Sequence, residues 1–405
     1  MFLSGIIFPL QQLRAQQRKT SSSKTVKQLT AEELHQKGDD CFFGENGEFM
    51  NKDKAKDYWM QAAAKGHAGS QYALVVNHMV DGEEAMRMLR NSAEQKYPPS
   101  MNLMSRCYHE KGNYDWFPDA DDEQSLYWAR LSAEAGDPEG QYLYGGHFYN
   151  GNGVPKNYEE AEKWLSAAGE KGYLEAMKNL AKAYQMGWFG FTDTDKAFYW
   201  WHKAAEMGDP ESQYRYGDIV FNKGDGVEYE KEAYVWFKKA AEQNYVEAFA
   251  DMGMYNELGW GGMDVNLKEA LAWYRRGFRQ QDCLCSWLLF EIGGKIEKLV
   301  DSKEQIDALK CAAEKGSRDA RAQLGLYHCA GLLDKPDLSQ GLPVIRELAI
   351  NGESPRAMAI YGNMMMYGMF GVKKDKKSGA EYIRRAAQKG DRLAIKLVKD
   401  NNIKY

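Results

Sequence analysis

A helix-like phrase ending in a small pair and a glycine comes back ten times along the 405 residues, and this recurrence limits the possible folds more than any single motif does. Its clearest copy reads Ala197-Phe-Tyr-Trp200-Trp-His-Lys-Ala204-Ala205-Glu-Met-Gly208. One unit earlier stands Ala161-Glu-Lys-Trp164-Leu-Ser-Ala-Ala168-Gly169-Glu-Lys-Gly172, and one unit later Ala233-Tyr-Val-Trp236-Phe-Lys-Lys-Ala240-Ala241-Glu-Gln-Asn244. Fainter copies end at Gly66, Lys96, Gly136, Gln281, Gly316, Gly352 and Gly390. Successive ends lie 30, 40, 36, 36, 36, 37, 35, 36 and 38 residues apart. A period near 36 makes the chain an array of similar units, each too small to bury its apolar face alone.

Every unit carries a second phrase ahead of the first. Examples are Gly140-Gln-Tyr-Leu-Tyr144-Gly145-Gly-His-Phe148, Ser212-Gln-Tyr-Arg-Tyr216-Gly217-Asp-Ile-Val220 and Ala357-Met-Ala-Ile-Tyr361-Gly362-Asn-Met-Met365. Their small and bulky apolar residues recur at helical spacing. Glycine-bearing connectors, Gly151-Asn-Gly-Val154, Gly224-Asp-Gly-Val227 and Gly368-Met-Phe-Gly-Val372, join the two phrases and read as tight turns between antiparallel helices. A glycine inside a helix costs about 1 kcal/mol against alanine, so its return at 145, 217, 253, 325 and 362 predicts close approach of a neighbouring helix. In the second helix Ala161, Trp164 and Ala168 share one face, which predicts a core of tryptophans set among alanines, with Lys and Glu opposite. Gly136-Asp-Pro138 and Gly208-Asp-Pro210 then stop one helix and start the next.

These residues resemble the Sel1-like repeat family, a relative of the tetratricopeptide repeats. Its pattern is approximately Ala-x-x-x-Leu-Gly-x-x-Tyr, a Gly-x-Gly-Val turn, then Lys-Ala-x-x-Trp-x-x-x-Ala-Ala-x-x-Gly. Residues 139–172 match nearly throughout, with Tyr144 in place of the usual Leu and Phe148 in place of Tyr, and residues 211–244 match nearly as well. The resemblance covers about 37–400. Two stretches depart from it: 68–96 is short, with its turn reduced to Asp81-Gly82, and 283–316 lacks both the Trp and the Gly-x-Gly-Val turn, so irregular packing is expected there. What the resemblance implies is an all-α, α/α superhelical solenoid of about ten stacked helix-turn-helix units over 30–405. It also implies a non-enzymatic scaffold that binds a protein or peptide on the concave face. The family names a mode of action and leaves the ligand open.

If the first helix of each unit lines that face, the residue three before its glycine and the one after it form a stripe. The stripe reads Tyr142/Gly146, Lys178/Lys182, Tyr214/Asp218 and Ala250/Met254. Tyr142, Lys178, Lys182, Tyr214, Asp218 and Met254 are therefore the expected partner-binding residues, tyrosine being suited to interfaces. The same tyrosines could instead pack against the next unit.

The ends and the composition add constraints. Phe2–Leu10 is a short apolar run ahead of Leu-Arg-Ala15, so residues 1–15 are compatible with a secretory signal, although no basic residue precedes the run. Export would place the protein in the periplasm or outside the cell; otherwise it is cytoplasmic. Residues 16–29 read as a flexible linker, and Thr30-Ala-Glu-Glu33 as a capping box that opens the first helix. With 53 basic against 58 acidic residues, nothing calls for nucleic acid. A mean hydropathy of −0.65 and the lack of an 18-residue apolar run speak against a membrane span.

Candidate chemistry is thin. The six cysteines (41, 107, 283, 285, 311, 329) follow no repeat spacing and read as unpaired thiols. Cys283-Leu-Cys285 lacks the further ligands a zinc site needs, and the seven histidines form no metal-ligand spacing, so neither metal nor cofactor is expected. His147 and His328 read as packing residues. Asp119-Ala-Asp121-Asp122-Glu123 lacks the glycine and distal glutamate of a calcium loop and reads as helix capping. Gly151-Asn-Gly153 and Gly259-Trp-Gly-Gly262 follow no strand and carry no P-loop lysine. Two further functions stay open behind the scaffold. One is an exported, envelope-associated module that recognises a cell-wall or surface glycan. The other, more remote, is a metal- or redox-responsive regulator using Cys283 and Cys285.

Overall fold

The computed structural model describes residues 28–110, 116–117, 119–224, 226–293 and 300–404. The possible signal at 1–15 and most of the linker at 16–29 lie outside them. Among the described residues the chain is all-helical. Ten helix pairs follow one another: α1 (Ala31–Phe43) with α2 (Lys52–Ala64), α3 (Ala68–Val76) with α4 (Gly82–Glu94), α5 (Pro98–His109) with α6 (Asp122–Glu134), and α7 (Pro138–Asn150) with α8 (Tyr158–Glu170). Next come α9 (Leu174–Met186) with α10 (Thr194–Glu206), α11 (Pro210–Lys223) with α12 (Val227–Glu242), and α13 (Glu247–Leu258) with α14 (Leu267–Arg279). Then follow α15 (Cys283–Gly293) with α16 (Ser302–Glu314), α17 (Arg318–Ala330) with α18 (Leu338–Ile350), and α19 (Pro355–Tyr367) with α20 (Lys376–Gln388). A single helix, α21 (Arg392–Asp400), ends the array. The pairs fall into two compact units, Met1–Tyr173 and Leu174–Tyr405, each a stack of helix hairpins.

Short polar residues decide where the helices begin. Thr30 and Glu33 form the expected capping box: Glu33 N–H donates to Thr30 Oγ1 at 3.1 Å and Thr30 N–H to Glu33 Oε2 at 2.7 Å. Asp137, Asp209 and Ser354 cap the first helices of their pairs, each followed by proline at the first helical position. The second helices carry Asn or Asp caps of their own, such as Asn157, Asp193, Asn266 and Asp375. In the Asp119–Glu123 run, Asp121 accepts from the Glu123 and Gln124 amides at 3.0 Å, which is the capping role.

Left-handed backbone ends the second helices. Gly172 (φ +87°) and Gly208 (φ +92°) occupy it at no steric cost, whereas Lys96 (+60°), Asn244 (+63°) and Gln281 (+58°) fill the same slot with a Cβ. Gln281→Gly is accordingly expected to raise stability by about 0.5–1 kcal/mol, read as a higher urea midpoint. Successive pairs are tied across these turns. Lys171 Nζ donates to the Gly136 carbonyl at 2.6 Å, and in the second unit Gln243 Nε2 donates to the Gly208 carbonyl at 2.9 Å.

The core corrects one expectation. Ala161, Ala168, Ala197, Ala204, Ala233 and Ala240 are buried as read, and so is Trp200, but Trp164 and Trp236 are only half-buried. The deep position is the next residue: Leu165, Trp201 and Phe237. The helical angle explains the shift. Counted from the first buried alanine, i+4 and i+7 point at the partner helix, while i+3 lies on the flank of that face. The first-helix glycines face this deep residue. A Cβ on Gly145 would stand 2.9 Å from Leu165 Cγ, and one on Gly217 3.0 Å from the Phe237 ring. Trp164 instead donates its Nε1–H to Glu160 at 3.1 Å, with the Lys163 ammonium 5.5 Å from its ring centroid.

α3 is nine residues long, and α15, without a packing glycine at the usual place, precedes the undescribed 294–299. All six cysteines are free thiols; Cys41, Cys107, Cys285 and Cys329 are buried, and Cys283 and Cys311 are half-buried.

Candidate interaction surface

In the second unit the first helices face one another along a curve. Arg392 of α21 lies 2.9 Å from Glu257 of α13, a helix four pairs earlier, and Arg356 of α19 reaches Glu291 of α15 at 2.5 Å. Bonds across so many pairs require the first helices to lie on the inside of the curve. First helices α13, α15, α19 and α21 therefore line an inner wall.

Tyr142, Lys178, Lys182, Tyr214, Asp218 and Met254 are all half-buried, so each is shared between solvent and a neighbour. In the first unit the Tyr142 ring sits 5.1 Å from Tyr173, which is hydrogen-bonded to Arg106; Arg106 in turn pairs with Glu139. In the second unit Lys178 Nζ stands 2.8 Å from Glu211 Oε2 and 3.4 Å from Asp209, and Lys182 Nζ 2.9 Å from Glu211 Oε1. Burial pushes the Glu211 carboxyl up, but the hydrogen bonds from the two lysines outweigh it and hold the group below its usual range. Tyr214 packs between Phe237 (5.5 Å) and Tyr245 (5.3 Å) and is hydrogen-bonded to Asp251. Ala250, the stripe position of α13, is buried and offers no side chain to the wall.

At one step in each unit a cation on one first helix meets the acid in the first turn of the next: Arg106 with Glu139 in the first unit, and Lys178 and Lys182 with Glu211 in the second. The step from α11 to α13 keeps the first-turn acid, Glu247, but its stripe carries Tyr214 and Asp218, and Asp251 adds another carboxyl. None of Asp218, Glu247 and Asp251 joins an ion pair among the described residues; Asp218 accepts only from Asn222, at 3.0 Å for its Oδ1. Burial, then the charge of Asp218, pushes the Asp251 carboxyl up to about 7, against the opposing hydrogen bond from Tyr214.

A raised carboxyl costs stability as it ionises. In the unfolded chain Asp251 titrates near the ordinary aspartate value, so the native state holds the extra proton between about pH 4 and pH 7, and stability falls as pH rises through that window. Asp251→Asn is expected to remove this slope and to gain about 1–2 kcal/mol at pH 8 with little change at pH 4, measured by urea unfolding at both values.

Beyond α13 the wall is filled by the chain's own charges, which the stripe did not anticipate. Glu257 accepts from the Tyr274 hydroxyl at 2.8 Å and pairs with Arg392. Arg356 donates from Nε to Asp391 (2.9 Å), from Nη1 to Gln323 (2.9 Å) and from Nη2 to Glu291, with its guanidinium 5.0 Å from the Trp287 ring centroid. Two signals were available. Trp287 and Glu291 stand at the two stripe positions of α15, and Arg356 inverts the charge of the first-turn position that Glu139 and Glu211 hold. The remaining sequence candidates do not converge on this wall. His147 is buried against Ser125 Oγ (3.0 Å) and the Asn152 carbonyl (2.8 Å), and burial lowers its pKa. No group of three or more His, Cys, Asp or Glu side chains placed to hold a metal occurs among the described residues.

Comparison with known proteins agrees with this architecture. The model of the Sel1 repeat matches residues 38–67, 98–137, 138–173, 174–209, 210–245, 246–282 and 355–391. A protective antigen of uropathogenic Escherichia coli displaying an SLR fold is 26% identical, with a TM-score of 0.73 over 90% of this chain and 78% of that one. A Sel1 repeat protein from Oxalobacter formigenes shares the fold at 24% identity and a TM-score of 0.55, covering 82% of this chain and 93% of that one. The chitin synthase regulator SKT5 of Saccharomyces cerevisiae is 26% identical over 57% of this chain and 35% of its own length. An exopolysaccharide production negative regulator of Rhizobium leguminosarum is 28% identical over 31% of this chain and 53% of its own. The matches thus span about a third to a half of these two curated relatives.

Proposed function

The chain belongs to the Sel1 repeat family, and we propose that it is a non-enzymatic scaffold whose inner wall, at the step from α11 to α13, binds a protein segment through a lysine or arginine side chain. Sel1 repeat proteins bind protein partners, and relatives of this chain are named as regulators. No described helix is long and apolar enough to cross a membrane.

One observation carries the reading: at this step three carboxyls, Asp218, Glu247 and Asp251, stand beside Tyr214, Tyr245 and Met254 without an ion-paired cation among the described residues, whereas at the preceding step Lys178 and Lys182 face Glu211. A guanidinium or ammonium from a partner would supply the missing counter-charge through charge-assisted hydrogen bonds. The carboxyls could equally accept the hydroxyls of a sugar, but the ring faces of Tyr142 and Tyr214 are already packed against Tyr173 and Tyr245, which leaves less aromatic surface for stacking a glycan.

Selection of displayed random peptides on the full chain tests this reading. Enrichment of peptides with a common Lys or Arg is expected, with at least about tenfold weaker binding to Asp218→Asn/Asp251→Asn, since a charge-assisted bond contributes about 1.5–3 kcal/mol. Neutral or acidic winners, or peptides that ignore the double substitution, would remove the site from this step.

A further inference from the structure

In a stack of helix hairpins, the turns within pairs lie on one edge and the turns between pairs on the other. On the between-pair edge of the second unit, basic side chains serve the fold; Lys389 Nζ, for example, donates to the Gly352 carbonyl at 3.2 Å. The opposite edge at the C-terminal end differs. The turn from α17 to α18 exposes Lys335, and that from α19 to α20 exposes Lys373 and Lys374, with Lys376 and Lys377 opening α20. None of these five ammonium groups donates a hydrogen bond or joins an ion pair among the described residues.

The nearby acids offset them only in part. Asp337 and Asp375 are N-caps turned towards their helices, accepting from the Gln340 amide (3.1 Å) and the Ser378 amide (3.0 Å). Asp334 remains exposed, so the edge presents an excess of positive charge. Among the lysines stand the apolar side chains of Leu332, 60% exposed, and Met369, 38% exposed, with the half-exposed ring of Tyr367 beside them, its hydroxyl donating to Asn401. They project from two neighbouring turns, since α17 and α19 pack side by side.

Apolar tips in a field of unpaired lysines match a flat surface that is anionic outside and apolar within. We infer that this edge docks on an anionic phospholipid bilayer. The lysines meet the headgroups, and Leu332 and Met369 enter the interface. A soluble acidic peptide would satisfy the lysines but leave these apolar tips uncovered.

Co-sedimentation of the full chain with phosphatidylcholine vesicles, with and without phosphatidylglycerol, tests the inference. Binding is expected only with phosphatidylglycerol and should fade with added salt. Lys373→Glu/Lys374→Glu/Lys376→Glu/Lys377→Glu should weaken it by at least about tenfold. Leu332→Ser/Met369→Ser should weaken it severalfold with the salt dependence kept, and circular dichroism checks that both variants are folded. Four results would overturn the inference: no sedimentation, equal binding to phosphatidylcholine alone, a quadruple variant that binds as well as the native chain, or binding to a polyglutamate peptide without binding to vesicles.

Discussion

Arg356→Ala is expected to destabilise the second unit by about 3–5 kcal/mol, seen as an early urea transition that the native chain lacks. The guanidinium is almost fully buried and bonded to Glu291, Asp391 and Gln323 at once. Its removal leaves the buried Asp391 and Glu291 carboxylates without their main cation, with only Arg392 still 3.7 Å from Glu291, and that lost charge compensation dominates the effect. Burial alone would lower the pKa of Arg356, but Glu291 and Asp391 outweigh it and keep the group charged. Arg356→Met/Glu291→Gln should recover much of the stability, because it removes a charge of each sign and leaves Asp391 as the remaining acid. An equal loss in the single and double variants would mean that Arg356 acts through packing alone.

Trp201→Ala should cost about 3–5 kcal/mol, whereas Trp164→Ala should cost only about 1 kcal/mol. Trp201 is fully buried and its removal opens a cavity at the hairpin of α9 and α10; Trp164 lies on a flank with its indole nitrogen bonded to Glu160. Urea unfolding of the two variants, followed by helical circular dichroism, separates the positions. Similar costs would contradict the placement of the deep core one residue after the repeated tryptophan.

That difference marks the limit of what the repeat pattern makes legible. Ten hairpins, their turn glycines and the capping of Thr30 can be read from the chain because each depends on residues close in sequence. The deep core position was displaced by one because Trp200-Trp201 and Trp236-Phe237 put large apolar residues side by side, and only the glycine of the facing helix tells which points inward. The stripe reading takes in Tyr214, Asp218 and Met254, but not Asp251, which bonds to Tyr214. The sequence marks Trp287, Glu291 and Arg356 as unusual for their positions but does not pair them, and nothing marks Arg392 with Glu257: these partners sit in other pairs, so the contacts depend on the curvature of the unit, which no local pattern encodes.

The account centres on the unpaired carboxyls between α11 and α13, and a crosslinking pull-down addresses them most directly. The full chain would serve as bait in fractions of the source cell, beside Asp218→Asn/Asp251→Asn and Tyr214→Ala, with circular dichroism confirming that all three are folded. The account predicts a protein captured by the native chain, lost with the double asparagine variant, and crosslinked to this step through a lysine- or arginine-bearing segment. Capture that survives both substitutions, or crosslinks confined to the outer helices, would contradict it.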